Sequence, residues 1–197
     1  MLGGDMYKVL YGSTFKFDKE ALIQEVKALT QKIKDTYDDG TPDCPKQKFA
    51  GRPRIMVTGS PIGGASEKVI KCLEDNGAQV VVFENCSGAK SVDEMVDEQN
   101  PDIYDALARR YLNIGCSCMT PDTNRFKLMD RLIDEYQVDA VVEVVLQACH
   151  TYNVESFLIK RFVTEEKKKP YIALETDYST SDAGQISTRL AAFLEML

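Results

Sequence analysis

VDAVVEVVLQ, residues 138–147, decides the fold. Its apolar residues run on consecutively instead of alternating, it is too short for a globular helix, and it is dominated by β-branched valine. A strand of that kind is buried on both faces, and such strands belong to parallel sheets covered by helices on each side. One carboxylate, Glu143, interrupts the run and must be either solvated or partnered.

The same alternation of strand and helix extends in both directions. Upstream, RIMVTG (54–59) and AQVVVFEN (78–85) read as strands. SEKVIKCLEDNG (66–77) reads as a helix capped by Ser66 and stopped by Gly77, and PDIYDALARRYL (101–112) as a helix opened by proline. GSPIGG (59–64) is a tight strand-to-helix turn and lacks the Gly-Lys-Ser/Thr ending of a phosphate-binding P-loop. NIGCSCMTPDTN (113–124) is a loop, and RFKLMDRLIDEY (125–136) is a helix. Downstream come the helix VESFLIKRFVTEE (154–166), the strand KPYIALET (169–176) and a closing helix over 183–197. The pattern predicts a doubly wound α/β domain over residues 54–197, with a mainly parallel four-stranded sheet of the Rossmann or flavodoxin-like kind.

Residues 1–53 form a helical connector and linker in this reading. Residues 1–17 show no clear period. A helix follows over 18–37, capped by Asp18, with Phe17 and Leu22 placed for a hydrophobic staple and Leu22, Val26, Leu29 and Ile33 on one stripe. It packs outside the α/β domain. DDGTPDCPKQKFAGRP (38–53) reads as a long loop in which Cys44 is an exposed thiol.

A net charge of -7 excludes the basic surface that nucleic acid requires. No basic stretch leads into an apolar one at the start, and the most apolar segment is short and carries Glu143. The expectation is a soluble, cytoplasmic protein with neither nucleic acid nor membrane as a partner.

In a reducing compartment six cysteines are not a disulfide framework. Cys72 falls among Val69, Ile70 and Leu73 on a helix and reads as packing. Cys86 follows a strand, Cys149 ends one, and Cys116 and Cys118 lie in a loop that enters a helix. Ligands of open α/β sheets bind beyond the carboxyl ends of the strands, where these three segments converge. The spacings fit neither a zinc ribbon nor a ferredoxin. An iron–sulfur cluster, zinc held by Cys86, Cys116, Cys118 and Cys149, and idle packed thiols all remain open on spacing alone.

RIMVTGSPIGG (54–64), VVVFENCSGAKSVDE (80–94), YLNIGCSCMTP (111–121), LQACHTYNVES (146–156) and the stretch from Pro170 to Leu197 together resemble the 2-hydroxyacyl-CoA dehydratase and benzoyl-CoA reductase family, most closely its double-cubane-cluster reductases. The resemblance implies a protein about twice this length, with two similar α/β domains facing each other across an iron–sulfur cluster (4Fe-4S or double cubane), of which this chain corresponds to the second. It implies Cys149, Cys86, and Cys116 in preference to Cys118, as ligands. It implies partners as well: the missing N-terminal domain and a separate ATP-hydrolysing iron–sulfur activator that supplies low-potential electrons to a reductase or to a radical dehydratase. Without its other half the chain is expected to hold a partial cluster, an adventitious metal or nothing, and to pair as a homodimer or serve as an assembly domain.

His150, the single histidine, follows a ligand position and is a candidate proton donor; otherwise it caps a helix beginning near Asn153. Glu84 and Glu175, at strand ends, are candidates to line the cleft, with Glu84 the catalytic one. Glu143 reads equally well as a cleft residue or as a paired structural charge, and Ser181 or Asp182 reads as a helix cap.

Overall fold

The computed structural model describes residues 1–61 and 63–197; Ile62, within the turn GSPIGG, lies outside the described residues. Four strands, β1 (Arg54–Gly59), β2 (Gln79–Phe83), β3 (Ala140–Leu146) and β4 (Tyr171–Thr176), form one sheet in the order β2-β1-β3-β4. Every pairing is parallel. The helices in chain order are α1 (Gly3–Ser13), α2 (Lys19–Tyr37), α3 (Pro45–Lys48), α4 (Gly64–Asp75), α5 (Ala89–Val92), α6 (Ile103–Leu112), α7 (Thr123–Glu135), α8 (His150–Arg161) and α9 (Ala183–Leu194). A π-helical turn, Phe162–Glu166, continues α8.

The unbroken apolar runs are explained by the two cores. Ile55 and Val57 of β1 and Val142 and Val144 of β3 pack with Val69, Ile70 and Leu73 of α4 and Ile186, Leu190 and Phe193 of α9. Met56 and Val141, one residue out of phase, pack on the opposite face with Met129, Leu132 and Ile133 of α7 and Ile159 of α8. Successive side chains of a strand point to opposite faces, so a strand covered twice needs apolar residues at both parities. Truncating a fully buried member such as Ile70 to alanine would cost about 2–5 kcal/mol.

Several local readings of the sequence are corrected. Residues 1–17 contain α1, which has little helical signal of its own. Its first amides are satisfied from another element: Gly3 N–H donates to Glu74 Oε1 at 2.5 Å and Gly4 N–H to Oε2 at 3.3 Å. Gly3 is required there, because a Cβ would stand 2.5 Å from the Cβ of Val80 on β2. Tyr7 of α1 enters the core with no exposed surface. In α2, Asp18 caps by accepting from Ala21 N–H at 2.9 Å, but Phe17 is 99% exposed and forms no staple. The stripe of α2 is only partly covered, with no residue fully buried.

Cys44 is 2% exposed at the start of α3, so it is a packed thiol and not an exposed one. Ser66 lies inside α4, which begins two residues earlier, at Gly64. Asp102, one residue after the proline, caps α6 by accepting from Tyr104 and Asp105 N–H. Helix α8 starts at His150 itself, so His150 does not cap a later helix. Asp182 stands at the N-cap of α9 without bonding its amides; its carboxylate instead takes hydrogen bonds from Lys68 at 2.7 Å and from Thr176.

Candidate cysteine site at the switch point of the sheet

The chain leaves β1 toward β2 on one side and returns through β3 on the other, so the strand order reverses between β1 and β3. The crevice beyond their carboxyl ends is where an open α/β sheet places its ligands. Cys149 sits there, three residues past β3, as the residue that precedes α8. It is presented by a strained turn. Ala148 has φ +64, a left-handed conformation costing a non-glycine residue about 1–2 kcal/mol. Hydrogen bonds on either side hold it in place: Gln147 N–H to Thr176 O at 2.8 Å and Cys149 N–H to Leu146 O at 2.9 Å.

The turn aims the sulfur at the first amides of α8. Burial pushes the Cys149 thiol up, but the N–H of Tyr152, the hydroxyl and N–H of Thr151 and the hydroxyl of Ser60 outweigh it, leaving the thiol more acidic than usual. Thr151 Oγ1 is 3.6 Å from the sulfur. Ser60 is fixed at the end of β1, donating its N–H to Val144 O at 2.8 Å and accepting at Oγ from Leu146 N–H at 3.2 Å.

Cys86 lies three residues past β2 in a turn organised by Asn85, whose side chain accepts from Ser87 N–H at 3.1 Å. The loop carrying Cys116 and Cys118 is drawn onto the start of α7 by Gly115, where a Cβ would meet Arg125 N at 2.4 Å. The neighbouring Cys116 pushes the Cys118 thiol up, with smaller contributions from burial and from the charge of Cys149. Cys116 and Cys149 are both near enough to Cys118 for their charges to act on it, and Cys86 is near enough to Tyr152 to act on its hydroxyl. The donors suit an iron–sulfur group in kind, since its irons take thiolates. Among the described residues, no three His, Cys, Asp or Glu side chains are gathered at metal-ligating geometry.

The other candidates separate sharply. His150 is exposed in the first turn of α8, and Glu175 is exposed and accepts from Asn153 Nδ2 at 3.4 Å. Glu84 is wholly buried beneath the crevice. There it belongs to an ionic cluster of which Glu84 and Glu143 stood out in the sequence while Glu155 and the cations did not. Arg125 of α7, with no exposed surface, reaches Glu84 Oε2 and Glu143 Oε1, both at 3.4 Å, and Glu155. Lys90 of α5, equally buried, stands 3.1 Å from Glu84 Oε1 at an angle too poor for a hydrogen bond. Thr58 donates to Glu84, and Tyr171 donates to Glu143.

Three carboxylates against two cations leave the cluster short of positive charge. Burial pushes Glu143 up even though Arg125 pulls it down. For Arg125, burial opposes the charge, but Glu84 and Glu143 more than compensate. Asp122, just before α7, has a buried oxygen without a partner; burial, then the charge of Glu155, pushes it up to about 6.

The whole chain, residues 1–197, matches the family described as 2-hydroxyglutaryl-CoA dehydratase, D-component. It is similar to YjiM of Escherichia coli (strain K12), described as a dehydratase subunit, with 55% identity over 195 residues, covering 99% of this chain and 49% of that protein. It is also similar to a benzoyl-CoA reductase subunit of Thauera aromatica, with 22% identity over 199 residues, covering 98% of this chain and 44% of that protein. The chain therefore spans about half the length of the curated relatives it matches. No helix among the described residues is long and apolar enough to cross a membrane.

Proposed function

Because the chain belongs to the 2-hydroxyglutaryl-CoA dehydratase D-component family, we propose that it is the cluster-binding half of an anaerobic iron–sulfur enzyme, offering Cys86, Cys149 and one of Cys116 and Cys118 to a cluster completed by a second half. The observation that carries this reading is Cys149: a strained turn at the switch point holds an acidified thiol against the amides of a helix, facing a loop with two further thiols. Bound there, an iron–sulfur cluster would supply single low-potential electrons to a small substrate. The chain's own residues would fix the Cys149 thiolate through Ser60, Thr151 and the first amides of α8. His150, exposed and next to Cys149 in the chain, would carry a proton to or from a molecule in the crevice.

Between the reactions open to such a site, radical dehydration of a 2-hydroxyacyl-CoA is favoured by the relative at 55% identity, which is described as a dehydratase subunit. Reductive electron transfer is the companion reading, supported by the likeness to part of a benzoyl-CoA reductase. Both call for an ATP-hydrolysing iron–sulfur activator and for the remaining half of the protein. Val154, Phe157 and Leu158, an exposed apolar face on α8 beside the site, suit contact with that half or with a second copy.

Anaerobic reconstitution followed by iron and sulfide analysis tests the assignment. Iron should be lost in Cys149→Ala and kept in Cys72→Ala, since Cys72 packs against the α4–α9 core away from the crevice. Equal retention in both variants would refute it.

A further inference from the structure

A hollow between α5, α6 and α7 carries positive charge that its neighbours do not cancel. It measures about 390 Å³, within the range of small-ligand clefts. Ile114 and Gly115, the two residues before Cys116, form part of its wall. The chain as a whole has a net charge of -7, yet this wall holds four cations, Lys90, Arg110, Lys127 and Arg131, against the two carboxylates Asp93 and Glu94.

Half of those cations are already engaged. Lys90 is spent on Glu84, and Arg131 on Asp93 and Glu135. Arg110 is different. It donates through Nε to Glu94 O at 2.9 Å and through Nη2 to Ser91 O, neutral acceptors that fix the guanidinium without cancelling its charge. Its Nη1 group has no partner among the described residues, and Lys127 of α7, which is exposed, makes neither an ion pair nor a hydrogen bond among them. Glu94 is the one acid of the wall without a cation, and Asn113 Nδ2 donates to it at 2.5 Å. Two free cations, supplied by two helices, therefore stand against one unpaired acid.

We propose that this hollow binds a phosphoryl group of a small-molecule ligand, with Arg110 and Lys127 as its charged contacts. A phosphoryl group offers several acceptor oxygens and more charge than a carboxylate, which suits a guanidinium fork combined with a mobile ammonium. Because Arg110 is already held in place, little freedom is lost when the ligand arrives. The phosphoryl group has two possible sources, a free nucleotide and the coenzyme A portion of a thioester. The site itself does not depend on the cysteines; only its assignment to a thioester substrate rests on the function read above.

Isothermal titration of the metal-free chain with ADP and with coenzyme A tests the site without cluster or turnover. At least one of them should bind saturably, one per chain, and more weakly as salt is raised. Arg110→Met and Lys127→Met should each weaken that binding about tenfold. Lys168→Met, in a separate basic hollow at the amino ends of the strands, should leave it unchanged. Tighter binding of coenzyme A than of ADP would assign the site to a thioester substrate, and ADP binding as tightly or more so would assign it to a nucleotide; either result supports the site. Binding of neither, or a Lys127→Met variant that binds like the unaltered chain, would overturn the proposal. So would an equal loss in Lys168→Met, which would show attraction to basic surface in general. If Arg110→Met loosens the segment from Ser91 to Glu94, Lys127→Met decides, since no described contact of the fold uses the Lys127 ammonium.

Discussion

Replacing Arg125 with methionine removes the charge that holds the buried cluster together while keeping much of the volume. At an effective dielectric of about 20, a unit pair at the 3.4 Å separating Arg125 from Glu84 and from Glu143 is worth about 5 kcal/mol. Much of that attraction is offset by the cost of bringing Arg125 out of water, and Lys90 still neutralises Glu84 in the variant. The expected net loss is about 3–5 kcal/mol, the usual result of leaving buried carboxylates without their partner. Glu143 is the more damaged acid, since Tyr171 and Ser156 offer it hydroxyls but no counter-charge. Its folded pKa already lies above the unfolded 4.5. A carboxyl raised in this way contributes stability at low pH that is lost as pH rises through its folded value, and loss of Arg125 moves that value higher. Urea denaturation followed by circular dichroism should therefore show a deficit that is greatest near about pH 8 and shrinks toward about pH 5. Arg125→Met combined with Glu143→Gln should recover part of the loss. A penalty below about 1 kcal/mol, or one independent of pH, would mean that Arg125 and the carboxylates do not meet in the core.

Asp122→Asn should stabilise the fold by about 1–2 kcal/mol above pH 6 and leave it unchanged below about pH 4, because only the charged acid suffers from burial and from Glu155; equal curves at both pH values would contradict the burial of that oxygen. Gly115→Ala should cost about 1–3 kcal/mol in thermal denaturation by pushing the Cys116 loop off α7, and an unchanged melting temperature would deny the close approach. At neutral pH, iodoacetamide followed by peptide mass mapping should label Cys149 before Cys118 despite the greater exposure of Cys118, as the two thiols are shifted in opposite directions. The reverse order would remove the case for an activated Cys149.

The sheet was legible because a doubly covered strand has to be apolar at both parities, and RIMVTG and VDAVVEVVLQ are. Cys86 and Cys149 could be placed for a related reason: each follows a strand whose end is easily read, and in a parallel sheet those ends share an edge. Helix α1 could not be read, because its stability comes from Glu74, some seventy residues away, and from a glycine packed on β2. Arg125 was hidden differently. In RFKLMDRL it looks like any surface cation on an amphipathic helix, and only the fold brings it under Glu84 and Glu143. A carboxylate inside a valine-rich strand announces that it needs a partner, but not which residue supplies it. Cys44 was misread because Pro, Gly and Asp signal a turn and say nothing about what the turn packs against.

The placement of α1 also bears on how the molecule stays separate from its neighbours. β2 is an outer strand of the sheet, and such a strand carries a row of unused backbone groups that another chain can extend. Met6 and Leu10 of α1 stand beside Val81 and Val82 of β2, and Gly3 rests on Val80. The amino-terminal segment therefore lies along that border and narrows the approach of a foreign strand. Glu74 ties that segment in place through the Gly3 and Gly4 amides.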